Sequence, residues 1–220
     1  MGKLLNIVTA VHQGIKRDYL GRMKDDKIRC MAVARKYDKD FWDGKRKYGY
    51  GGYRYDGRWA PIAKKLIKIY RLKDKARILD IGCGKGYLLY EFKKLLPKAH
   101  IAGFDISAYA IENSLEEIRE SLFVHKAQSR HPFKDKEFDL AVSFTTLHNL
   151  AIYDIKSALK EIERTGKDKY ITVESYRNEE ELFNLQCWAL TCESFFRPQE
   201  WVWLFNEFGY TGDYEFIYFK

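Results

Sequence analysis

The sequence predicts an α/β fold: one mostly parallel sheet covered on both faces by helices, with an N-terminal helical and aromatic cap. Three observations predict it. Short apolar runs and longer amphipathic stretches alternate between about residues 76 and 174, the rhythm of successive βαβ units. The first run ends in an acid and a glycine-rich turn, Asp80-Ile81-Gly82-Cys83-Gly84-Lys85-Gly86, at a strand-to-helix junction. The second run ends in another acid, Asp105, one βα unit later. With 220 residues, 46% of them hydrophobic and 16% aromatic, the chain can bury one substantial core plus a lid but not two full domains. We therefore divide it into a cap, 1–71, and a nucleotide-binding unit, 72–220.

From residue 18 to residue 37, Leu20, Met23, Ile28, Met31, Ala32 and Ala34 recur at roughly helical spacing, which predicts one amphipathic helix outside the main fold. Residues 41–59, FWDGKRKYGYGGYRYDGRW, interleave glycine with tyrosine and arginine and read as a covering loop. Pro61 suits the first turn of a second helix, with Ile62, Leu66, Ile67 and Ile69 on its buried side. Then follow a strand at 76–81, a helix at 88–96 stopped by Pro97, a strand at 99–104 and a helix at 108–120. Further strands are predicted at 122–125, 138–144 and 170–174, with a helix at 154–165 before the last. Helices at 179–190 and 198–208 and a closing strand at 214–219 complete the chain, which shows no internal repeat.

Composition narrows the function. No apolar stretch reaches the roughly 20 residues of a membrane span, the run from Leu4 to Val11 being broken by Asn6 and Thr9, so a soluble protein is expected. That run has no small-residue cleavage site, and Asn6 stands where an acylation signal has Ser or Thr. Cys30, Cys83, Cys187 and Cys192 form no CxxC pair and have no histidine at metal spacing, so no metal site and a reducing cytoplasm are expected. The net charge of +8 suits a polyanion such as RNA or a phosphorylated small molecule, although charge runs usually mark solvated faces.

The chemistry is concentrated at the glycine turn. Glycine at 82 and 84 lets the backbone bend tightly and approach a nucleoside, since a Cβ there is expected to intrude on the ligand. Asp105 can accept hydrogen bonds from both hydroxyls of a ribose. A dinucleotide would require GxGxxG, and Tyr87 occupies the third glycine position. Asp80 would repel a pyrophosphate but attract a sulfonium and an amino group.

The pattern DxGxGxG with a later acid resembles motifs I and II of the class I S-adenosylmethionine-dependent methyltransferases, a Rossmann-like family. FDLAVSFTTLHNL, 138–150, looks like their fourth strand and following loop, and the likeness extends over about 76–174. The resemblance implies a seven-stranded sheet, or six strands here, because the family usually ends in two antiparallel strands and only GYTGDYEFIYFK remains for them. It implies S-adenosylmethionine as cofactor and S-adenosylhomocysteine as product. Gly82, Cys83 and Gly84 would line the methionine part, Asp80 its amino group and Ile106 the adenine, with Ser143 also in the set. The family's acid near the adenine amino group is replaced by Ala127, which leaves Gln128 and Ser129 as adenine contacts. The segments WDGKRKYGYGGYRYDGRW, VESYRNEEE and WALTCESFF resemble a bacterial methyltransferase group associated with surface-polysaccharide or sugar-nucleotide pathways.

Beyond the cofactor, Tyr50, Tyr53, Tyr55 and Trp59 either pack the cap or wall an acceptor pocket, where aromatics also attract a sulfonium. Arg54 and Arg58 are placed to grip a carboxylate or phosphate, Arg58 being assigned to the cofactor carboxylate. His148 follows the fourth strand at the ligand-binding end of the sheet and suits proton removal. Glu174 and Tyr176 leave the fifth strand toward the same rim; all three have the alternative of simply packing. His12, His100, His125 and His131 carry no such argument. The expected reaction is O- or N-methylation of a small, anionic or sugar-linked acceptor, with neither a membrane nor nucleic acid required. RNA methylation and non-catalytic cofactor binding are the alternatives, and the absence of (D/N)PP(Y/F) at Ser143-Phe144-Thr145-Thr146 speaks against the first.

Overall fold

The apolar runs become Arg77–Ile81 (β1), His100–Asp105 (β2), Leu122–Val124 (β3), Phe138–Phe144 (β4), Gly166–Glu174 (β5) and Asp213–Ile217 (β6). In this computed structural model, which describes every residue except 1, 10, 11, 13, 15, 51 and 52, they form one sheet in the order β3-β2-β1-β4-β5-β6, and all pairings are parallel. Val11 of the N-terminal run and Gly51 and Gly52 of the aromatic loop thus lie outside the described residues. The sheet has six strands, and the closing strand is parallel to β5 rather than one of an antiparallel pair. A parallel return requires a crossover, supplied by Glu179–Trp188 and Pro198–Glu207.

Successive residues of β1 point to opposite faces, so Ile78 joins one core and Leu79 and Ile81 the other. Ala60–Ile69 and Tyr87–Leu95 cover the first face through Ile62, Leu66, Leu88, Leu89 and Phe92. Ile152–Thr165 and Pro198–Glu207 cover the second through Ile155, Leu159, Trp201 and Phe205. In β-sheet terms the chain moves outward from β1 to β3, then returns to place β4 on the other side of β1. This reversal opens a crevice beyond the carboxyl ends of β1 and β4, the usual ligand position in such sheets.

Several helix expectations are corrected. Residues 18–37 form two helices, Tyr19–Lys24 (α1) and Lys27–Ala34 (α2), separated where Asp26 takes a left-handed φ of 46°. Leu20, Met23 and Ile28 consequently face solvent, whereas Arg22 and Cys30 turn inward. Residues 108–120 likewise divide into Ala108–Glu112 and Glu116–Arg119, with Asn113 ending the first. Ile69 is exposed because its helix ends there, leaving Ile62, Ala63 and Leu66 as the buried stripe. The covering loop holds a short helix, Lys39–Trp42 (α3), and a 3-10 turn, Arg46–Tyr48.

The N-terminus is bound to the far edge of the sheet. Leu4 pairs in parallel with Tyr214 of β6, and the buried Glu215 carboxylate accepts from the backbone N–H groups of Ile7, Val8 and Thr9. Glu215 also accepts from the hydroxyls of Thr9 and Tyr170. Among the described residues no helix is long and apolar enough to cross a membrane, and no group of side chains is arranged to hold a metal.

Candidate functional site

The carboxyl ends of β1, β2, β4 and β5 and the overlying cap enclose a cavity of about 460 Å³. The turn after β1 forms its floor. Gly82 and Cys83 both donate backbone N–H groups to the Phe104 carbonyl, at 2.8 and 3.0 Å, which ties the turn to β2. Gly82 and Gly84 have φ of +75° and +55°, a region that other residues enter only at a cost. A Cβ on Gly82 would lie 2.1 Å from Thr146 Oγ1, and one on Gly84 would lie 2.8 Å from the Trp42 ring. The protein's own walls thus require glycine at both positions.

Two carboxylates face this floor. Asp105 accepts from Gly84 N–H through Oδ2 at 2.8 Å and from Ser107 N–H through Oδ1 at 2.9 Å. Each oxygen keeps a second lone pair for a ligand hydroxyl. Asp80 is different. It is 3% exposed, and its Oδ1 has no hydrogen-bond partner among the described residues. Burial first, and the Asp105 charge second, push its carboxyl up to about 8. A buried carboxyl without partners is costly unless a cation or donor arrives.

Aromatic rings from the segment before Ala60 close the cavity above the glycine turn. Phe41, Trp42 and Tyr53 pack on one another with centroids 4.6–5.3 Å apart. Trp42 Nε1 donates to Ser107 Oγ at 2.8 Å, and Tyr87 donates to the Tyr53 carbonyl at 2.8 Å. Asp43 pairs with Lys85 of the glycine turn at 2.7 Å and accepts from the Tyr109 hydroxyl. Because α3 lies in a loop whose path depends on these distant contacts, the sequence singled out neither Trp42 nor Asp43.

At the opposite end, β5 delivers Glu174 and the 3-10 turn Leu147–Asn149 after β4 delivers His148, both into the cavity. His148 Nδ1 accepts from the Glu174 backbone N–H at 3.2 Å, which leaves the ring proton on Nε2, 3.4 Å from Glu174 Oε2. Burial, reinforced by His12, lowers the imidazole to about 3. His148 therefore stays neutral with no lone pair left to take a proton. The Glu174 carboxyl is raised by burial to about 8, against the opposing influence of Arg17.

The cavity wall includes most of the sequence candidates: Asp80, Gly82, Cys83, Gly84, Asp105, Ile106, Gln128, Arg58, Tyr50, Tyr53, Trp59, His148 and Glu174. Five others lie off it. Ser143 is fully buried and its hydroxyl bridges to the Ile81 carbonyl, binding β4 to β1. Ser129, half-buried next to Gln128, does not line the wall. Tyr55 donates to Glu91 at 2.6 Å and packs edge-on against Tyr87 and Tyr90. Arg54 points to solvent. Tyr176 packs in the cluster with Ile217 and Phe219, under the Arg197 guanidinium. Arg58 reaches the rim but is gripped by Asp56 through both carboxylate oxygens. Sequence reasoning missed Trp42, Lys85, Arg17, His12 and His125, all of which line the wall.

Comparison with known proteins places this geometry. Residues 72–209 match the family model described as a methyltransferase domain. The mouse mitochondrial arginine-hydroxylase NDUFAF5 is 32% identical over 126 residues, 57% of this chain and 35% of that protein. An uncharacterised protein of Methanocaldococcus jannaschii is 33% identical over 124 residues, 56% of this chain and 46% of its own length. The chain thus spans less than half the length of these curated relatives. A methyltransferase solved with the Trm112 activator from Haloferax volcanii superposes with a TM-score of 0.56 at 18% identity, covering 89% of this chain and 77% of that one; at this identity the likeness is one of fold.

Proposed function

The chain belongs to the class I S-adenosylmethionine-dependent methyltransferases, and on that premise we propose that it methylates an O or N atom of a small, anionic or sugar-linked acceptor enclosed beside Glu174. The observation that carries the reading is the buried Asp80 carboxyl with its unpartnered Oδ1 at the glycine turn. It fits the amino group and sulfonium of the cofactor, while the free lone pairs of Asp105 fit its ribose hydroxyls. A pyrophosphate would be repelled by both.

When bound, S-adenosylmethionine supplies an electrophilic methyl group on sulfur. The protein's task is then to align the acceptor, exclude water and remove a proton. Glu174 is suited to the last: a carboxyl held near 8 ionises close to neutral pH, where a general base works best. His148 is a positioning residue, its Nε2–H directed at Glu174 Oε2. The cap aromatics limit the volume and attract a cation through their ring faces.

The acceptor is small on this reading because Phe41, Trp42 and Tyr53 pack against one another instead of presenting free faces for stacking a polynucleotide. A desolvated Glu174 facing the same cavity favours catalysis over cofactor storage. The four cysteines are unpaired, which supports a reducing, cytoplasmic setting. Incubation with methyl-labelled S-adenosylmethionine and panels of nucleotide sugars, phosphorylated metabolites and amines tests the proposal by mass spectrometry. A labelled small product is expected; label entering only RNA would overturn it.

A further inference from the structure

A second cavity, of about 310 Å³, lies behind the acceptor end and has no part in the chemistry above. Among the described residues its wall carries four cations, Lys16, Arg22, Arg46 and Lys47, and two carboxylates, Asp18 and Asp25. Both carboxylates are engaged. Asp18 caps α1 by accepting from Gly21 N–H at 2.9 Å, and Asp25 lies 3.7 Å from Lys47. The excess is positive.

Arg22 is the unusual member. It is 7% exposed, and its guanidinium donates to the carbonyls of Trp188, Arg46 and Gly49. Carbonyls orient a guanidinium without neutralising it. The Arg22, Arg46 and Arg17 guanidinium carbons also lie 4.8, 5.4 and 5.4 Å from the Trp188 ring centroid. Burial chiefly, and the Arg46 charge further, lower Arg22 and Arg17, and burial chiefly, with Arg22 adding to it, brings neighbouring Lys27 down to about 8. Cations gathered around one concave space, with the buried Arg22 at its base and Lys16 and Arg46 open to solvent, make a site for a compact dianion.

Trp188 lines both cavities, so one indole is shared by the basic space and the acceptor end. We propose that the second cavity is a phosphoryl subsite, which holds the phosphate or diphosphate of the acceptor while its methylated end lies beside Glu174. The cavity is large enough for a diphosphate. The link to the acceptor rests on the methyl-transfer reading; the anion site itself does not.

The test uses the full chain with inorganic pyrophosphate as probe, followed by calorimetry and by tryptophan fluorescence, with S-adenosylhomocysteine titrated separately. The wild type should bind pyrophosphate saturably, one per chain. Arg46→Gln and Lys47→Gln should each weaken this by about tenfold while leaving S-adenosylhomocysteine affinity unchanged. Arg46→Gln retains the backbone carbonyl that accepts from Arg22, and an unchanged melting temperature checks that the variant is folded. Pyrophosphate binding that is absent, or indifferent to both substitutions, overturns the subsite. So does salt-steep RNA binding that pyrophosphate does not displace. Failure of S-adenosylhomocysteine to bind the wild type would instead overturn the methyltransferase assignment of the main cavity and leave the pyrophosphate result to stand independently.

Discussion

Replacing Asp80 by Asn should stabilise the ligand-free protein and weaken cofactor binding at the same time. The carboxyl is moved from its ordinary 3.8 to about 8 by burial and by Asp105. At pH 7 the cost of keeping it protonated, relative to an unfolded chain in which it is ionised, is at most about 4 kcal/mol. An amide has the same shape and no charge, but leaves polar atoms short of partners at a cost of about 1–3 kcal/mol. The net expectation is a gain of about 1–3 kcal/mol, or roughly 2–12 °C in Tm for a domain of this size. The sign with pH follows from proton binding. Between about pH 4 and 8 the folded state holds a proton that the unfolded state has released, so the contribution of Asp80 to stability is full below 4 and is lost as pH rises through 8. Differential scanning fluorimetry from pH 5 to pH 9 should therefore show the wild type falling away from Asp80→Asn as pH increases. Calorimetry should show S-adenosylhomocysteine bound at least about thirtyfold more weakly by the variant, since one partner of a buried charge pair is gone. A variant that binds as tightly as the wild type, or melts below it at pH 8, refutes the role given to this carboxyl.

Other outcomes follow from the same geometry. Glu174→Gln should lower kcat by about 10²–10⁴ with little change in cofactor affinity, and the wild-type rate should rise with pH through about 8; a flat pH profile or an active variant removes Glu174 as base. Asp105→Ala should weaken S-adenosylhomocysteine binding by about 1–3 kcal/mol in calorimetry, because two charge-assisted bonds to ribose are lost. Glu215→Ala should destabilise the fold by about 2–4 kcal/mol in urea titration, because the N–H groups of Ile7, Val8 and Thr9 lose their acceptor; an unchanged midpoint would show that the N-terminal segment contributes nothing to stability.

The sheet was legible because each buried strand carries its own signal: an apolar run, then an acid or a turn. Asp80, the glycine bend and Asp105 were legible for the same reason, since local backbone demands place them at strand ends. The cap was not. Leu20, Met23 and Ile28 follow helical spacing, yet the bend at Asp26 and the pull of carbonyls on Arg22 turn a different face inward. Trp42 and Asp43 reach the site through partners far away in sequence, Ser107 and Lys85. Tyr55 and Tyr176 share the aromatic character of Tyr50 and Tyr53 but pack elsewhere, a distinction that only tertiary contacts make. The parallel course of β6 was obscured because strand direction depends on how the preceding helices cross the sheet, not on the strand's residues.

Cocrystallisation with S-adenosylhomocysteine addresses the central claim most directly. The account predicts the ribose hydroxyls within hydrogen-bond distance of Asp105 and the amino group beside Asp80 Oδ1. Density for the adenosyl group elsewhere, or a nicotinamide dinucleotide occupying this crevice in preference, would contradict it.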